Sequence, residues 1–132
     1  MTFNDYHGII NTLGRYGLIM DAGSRGLCSF EELRRIFTPD AVFDFTHAGG
    51  GVADGLDAII GVMDGAENHP SGHHFTNAVI DFVDANHATS VCKLASIEKN
   101  GAANTGHYTD QLVRTAEGWR ISRREAVVYF AQ

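Results

Sequence analysis

The feature that most constrains this chain is a change of texture at residue 73. Before it, apolar residues recur at helical spacing; after it, four β-rich runs follow at 73–83, 87–98, 105–115 and 119–130. The breaks between them, at 84–86, 99–104 and 116–118, carry turn chemistry that includes Asn100-Gly101 and Glu117-Gly118. Sequential strands joined by short turns pair as antiparallel neighbours. Helices first and a meander of strands afterwards predict an α+β domain with the helices on one face of the sheet. A sheet that wraps a long helix curls, and the open end of a curled sheet is the natural place for a cavity.

The helical half divides into three pieces. Thr2-Phe-Asn-Asp5 has the form of a capping box. It opens an apolar stripe through Phe3, Tyr6, Ile9, Ile10, Leu13, Tyr16, Gly17 and Met20, with Asp21 at its end and Gly23 as the expected stop. A second box, Ser29-Phe-Glu-Glu32, predicts a short helix through Leu33, Ile36 and Phe37 that ends at Pro39. Residues 41–46 read as a strand, 47–51 as a glycine-rich loop, and 56–63 as a third short helix.

At 132 residues, with no repeat, linker or low-complexity tract, one domain spanning 1–132 is expected. A net charge of −6 and only isolated arginine pairs, Arg34-Arg35 and Arg123-Arg124, argue against a nucleic-acid partner. No apolar run is long enough to span a bilayer, and the N-terminal segment lacks the pattern of a secretion signal. A cytoplasmic protein without a membrane partner is therefore the default expectation. Cys28 and Cys92 have no metal spacing and read as idle thiols rather than a disulfide.

His73 carries the chemical argument. In His73-His-Phe-Thr-Asn77, strand alternation places His73, Phe75 and Asn77 on one face and His74 and Thr76 on the other. An imidazole facing an apolar interior needs a partner, and Asp21, at the end of the first helix, is the expected one. The carboxylate would hold the ring in one tautomer and leave the other nitrogen free to take a proton. Tyr16 would donate a hydrogen bond to a carbonyl or oxyanion, and Asn77 would help to place the substrate. Tyr108 and Asp110 share a strand face and are candidates to line the cavity, the alternative being that this face meets solvent. Arg123 and Arg124 point to opposite faces, so one of them is positioned to meet a buried acid. Each residue taken alone also has a structural reading: a satisfied core histidine, a helix-end aspartate, a packed tyrosine. The segment His69-Pro-Ser-Gly-His73 has Pro and Gly between its histidines and cannot form a helical metal site. Neither a metal nor a cofactor is expected. Gly49-Gly-Gly51 lacks the context of a phosphate loop and reads as a flexible lip.

The pieces RYGLIMD, LRRIFTPDAVFDF, DGLDAI, HHFTN and GHYTDQLVRTAEGWRISR cover nearly the whole chain. In that order and spacing they resemble the SnoaL-like family of the nuclear-transport-factor-two-like superfamily. The resemblance implies a strongly curved, mainly antiparallel sheet wrapped around a long N-terminal helix, a cone with an internal pocket (the cystatin-like α+β barrel). That fold hosts dehydratases, isomerases, cyclases, hydrolases and non-catalytic binding modules. The nearest functional patterns are scytalone dehydratase, bile-acid dehydratase and hexachlorocyclohexane dehydrochlorinase, which pair an Asp on the first helix with a His on the sheet. By resemblance those positions fall on Asp21 and His73, with His74 as the alternative alignment, and Tyr16 matches a tyrosine of bile-acid dehydratase. Where the two dehydratases carry a further His or Asp, this chain has Ser96. Where scytalone dehydratase has tyrosines, it has Met20 and Phe45. The implied activity is a cofactor-independent lyase or dehydratase acting on a small apolar cyclic or polycyclic molecule. An isomerase or cyclase using the same dyad, or a pocket that binds without chemistry, are the alternatives. A homodimer or homotrimer is also implied.

Overall fold

The computed structural model describes residues 2–130. Helix α1, Phe3–Ser24, begins with the expected capping box: Thr2 Oγ1 accepts from the Asp5 N–H at 3.2 Å, and Asp5 Oδ2 accepts from the Thr2 N–H at 3.0 Å. Ile9, Leu13, Tyr16 and Met20 are buried, but Phe3 and Tyr6 stay exposed. The buried residue of the first turn is Asp5, which pairs with Arg114 at 2.7 Å and accepts from the indole of Trp119 at 3.4 Å. The helix continues one residue beyond Gly23, whose missing side chain makes room for Phe30; an added Cβ would lie 2.5 Å from that ring.

The second helix is a single 3₁₀ stretch, Phe30–Arg35. Ser29 Oγ accepts from the Glu31 N–H at 3.1 Å, whereas Glu32 turns forward to Arg35 at 3.3 Å, so only half of the capping box forms. The expected extension through Ile36 and Phe37 is not found. Phe37 already opens strand β1, Phe37–His47, and Pro39 lies within that strand. Its register against the neighbouring strand shifts between Phe37 and Val42, a position where a strand tolerates proline. After the glycine loop the chain turns back on itself as β2, Val52–Asp54, antiparallel to β1, and then forms α2, Leu56–Gly65.

The four β-rich runs become β3, Gly72–Phe82; β4, His87–Ile97; β5, Ala103–Thr115; and β6, Gly118–Tyr129. They pair successively as antiparallel neighbours, and β1 joins β6 in parallel to give the order β2-β1-β6-β5-β4-β3. Register shifts in β3, β6 and β1 add local twist and help the sheet to curve. Helix α1 packs against β3 and β6, while α2 and the 3₁₀ stretch cover β1. The core between them includes Ile9, Leu13, Leu33, Phe37, Phe43, Ile59, Leu112 and Ile121, all nearly or fully buried. Each such side chain contributes roughly 1.5–3 kcal/mol of apolar burial. Cys28 and Cys92 are both free thiols, and burial pushes the Cys92 thiol up to about 11. No helix among the described residues is long and apolar enough to cross a membrane.

Candidate active site

Asp21 stands one turn from the end of α1, beside the start of β3. Both its oxygens accept from the His73 backbone N–H, at 3.0 and 3.1 Å, and Oδ1 lies 2.7 Å from His73 Nδ1. A carboxylate can only accept, so the proton of this ring contact belongs on Nδ1 and Nε2 keeps a free lone pair. The two side chains are 11% and 24% exposed, sheltered but reachable. The close approach of helix and strand depends on Gly17, where an added Cβ would lie 3.1 Å from the His73 carbonyl oxygen. Arg25 stitches the same junction, donating to the Asp21 carbonyl at 2.8 Å and the Ser71 carbonyl at 2.6 Å.

Tyr16, one turn before Met20 on the buried face of α1, sets its ring edge-on to His73 with centroids 6.3 Å apart, and edge-on to Tyr108 at 5.7 Å. Burial raises the pKa of both phenols, that of Tyr108 strongly, against the pull of Arg124. Both are therefore neutral hydroxyl donors at physiological pH. Arg124 packs against both rings, its guanidinium carbon 4.5 Å from the Tyr16 centroid and 3.9 Å from that of Tyr108. Beneath it, Asp110 accepts two bonds, at 2.7 and 2.8 Å.

A cavity of about 630 Å³ opens beside the dyad. Its walls are mainly apolar, with Met20, Phe43, Phe45, Met63 and Leu94 contributing, and Tyr16, His73, Ser96 and Tyr108 bring polar atoms to it. Phe43 and Phe45 stack 3.9 Å apart and 9° from parallel, which gives the cavity a flat aromatic wall. The glycine loop forms its lip, as expected. Ser96 is the direct cross-strand partner of His73.

Seven of the nine expected residues thus gather at one place: His73, Asp21, Tyr16, Met20, Phe45, Ser96 and Tyr108. Two do not. Asn77 sits in the bulge between Thr76 and Val79 with φ at 56°, exposed and away from the cavity, because the extra residue breaks the alternation that would have turned it inward. Asp110 is on the inner face, but Arg124 covers it completely and it does not line the cavity. His74 faces outward and is exposed, so strand parity assigns the inward position to His73. Residues at the mouth had no signal in the sequence: His69 meets the Met63 carbonyl at 2.9 Å and packs on Phe30, a contact made only by the folded loop. Among the described residues, no three His, Cys, Asp or Glu side chains converge as a metal site would require.

No functionally curated protein matches the sequence significantly. Solved structures do. A protein from Novosphingobium aromaticivorans, provisionally named an aromatic ring hydroxylase, superposes with a TM-score of 0.81 at 22% identity, over 99% of this chain and 93% of its own. A provisionally named scytalone dehydratase from the same organism gives 0.77 at 25% identity, over 95% and 84%. A cystatin-like protein of unknown function from Nostoc punctiforme gives 0.81 at 18% identity, over 98% and 94%. The SnoaL-like domain matches residues 1–125, and the chain belongs to the SnoaL-like family.

Proposed function

We propose that this protein is an acid–base enzyme of the lyase or dehydratase type, acting on a small apolar cyclic or polycyclic molecule. The observation that carries this reading is the 2.7 Å contact between His73 Nδ1 and Asp21 at the wall of an apolar cavity. The SnoaL-like fold and the neighbour provisionally named scytalone dehydratase support a small-molecule dehydratase or isomerase type of function.

In this mechanism Nε2 of His73 takes a proton from a carbon next to a carbonyl. The electron pair moves toward the carbonyl oxygen, where the neutral Tyr16 hydroxyl meets the developing charge. Asp21 holds the ring by Nδ1 and stabilises the imidazolium that forms. Expulsion of a leaving group from the adjacent carbon completes an elimination. The stacked Phe43 and Phe45 rings suit a flat substrate, with Met20, Ser96 and Tyr108 against its other edges. One observation favours an isomerase: Ser96, opposite His73, offers no second acid to a departing hydroxyl, whereas returning the proton elsewhere needs His73 alone. The outer face of the sheet pairs Val79 with Val91, both largely exposed, which supports a homodimer or homotrimer.

Deuterium incorporation into 2-tetralone, a flat bicyclic ketone with acidic α-protons, tests the base without a known substrate. The wild-type rate should exceed that of His73→Gln by roughly 10² to 10⁴-fold. Equal rates with both proteins folded would leave a binding module instead.

A further inference from the structure

Between α1 and β3 a second opening, of about 290 Å³, leads inward to the same three residues, Tyr16, His73 and Tyr108. Strand β3 is the edge of the sheet, so no further strand closes this side. Leu13, Gly14 and Leu18 of α1 and Phe75 of β3 give the slot apolar walls, and Leu18 is 72% exposed. The two glycines that face it differ. Gly17 is explained by the close packing of helix on strand described above. At Gly14 an added Cβ would lie 3.5 Å from the Phe75 ring, an ordinary contact, so packing does not demand a glycine in the middle of this helix, where alanine is the better helix former. Gly14 leaves the slot open.

We propose that this slot is a subsite for an unbranched apolar arm of the substrate, whose ring body occupies the larger cavity and whose reacting carbon lies against His73 between the two. Only the last clause rests on His73 as the base. Most of the slot's lining is apolar, the further polar side chains on the strand being His74 and Thr76. Arg124 at the inner end presents no net charge to attract an ion, since Asp110 balances it and two tyrosine rings cover it. The slot has less than half the volume of the larger cavity and runs between a helix and a strand, which suits a chain rather than a ring.

The probe is a series of n-alkyl phenyl ketones from acetophenone to hexanophenone, with affinities measured by calorimetry. Each added methylene should tighten binding about fourfold until the slot is filled. Gly14→Leu should abolish that gain while acetophenone still binds within about twofold of wild type. Leu18→Gln, at the exposed rim, should reduce the gain for the longest chains only. His73→Gln should keep the full chain-length dependence, so a failure of the catalytic reading would not touch this result. A gain that survives Gly14→Leu, or no gain in wild type, overturns the proposal. A crystal structure of wild type with hexanophenone decides independently of any variant. The alkyl chain between Leu13 and Phe75 supports the subsite; the chain beside Phe45 and Met63 refutes it.

Discussion

Two acid–base pairs lie within the same core, and they differ in what they leave over. Asp110 and Arg124 are 0% and 1% exposed, share two bonds, and receive a third contact from Ser90 at 3.3 Å. Burial pulls the Arg124 pKa down, but the charge and hydrogen bonds of Asp110 outweigh it and hold the guanidinium charged. One Arg124 nitrogen lacks a partner, yet it is sealed from solvent. Asp21 and His73 make the same kind of contact at the same 2.7 Å, but a ring nitrogen is left over beside a cavity. Buried charge alone therefore marks structure. Spare proton-accepting capacity at an open wall is what the proposed chemistry requires.

The largest effect is expected from breaking the fully buried pair. Asp110→Ala should cost roughly 3–5 kcal/mol in urea denaturation, because it strands a buried guanidinium, and Asp110→Leu with Arg124→Met should recover most of that loss. Asp21→Asn should do the reverse. The 2-tetralone exchange rate should fall about 100-fold or more, while stability falls by only about 1 kcal/mol, since the amide oxygen can still accept from the His73 N–H. At the bulge, Asn77→Val should cost about 1–2 kcal/mol, the penalty of a β-branched residue at positive φ, with exchange unchanged. The smallest effect is one of pH. Arg114 holds the Asp5 carboxyl well below the usual carboxylate range, against burial. The stability from this pair is complete above the unfolded pKa of about 3.9 and is lost as pH falls below it toward the folded value. Acid titration of stability should therefore be shallower in Asp5→Asn than in wild type.

How much of this was legible in the sequence follows from the range of each signal. The stripe on α1 and the parity at His73 are local, and together they place Asp21 and His73 at the helix–strand junction. Parity fails at Asn77 because a bulge is a count against the partner strand, which one strand's sequence does not contain. Alternation puts Asp110 on the same face as Tyr108 without saying whether that face is inner or outer, and only the register of β5 against β6, Asp110 opposite Arg124, reveals what covers it. The same limit explains β1. Its parallel pairing with β6 joins the first strand of the chain to its last, and Pro39 reads as a helix stop until that register is known. The slot beside Gly14 is likewise a property of two packed elements.

The most direct measurement compares 2-tetralone exchange in His73→Gln and His74→Gln, two adjacent imidazoles on opposite faces of one strand. If His73 is the base, the first should lose roughly 10² to 10⁴-fold and the second should keep the wild-type rate. A wild-type rate in His73→Gln, or an equal loss in both, would contradict that role.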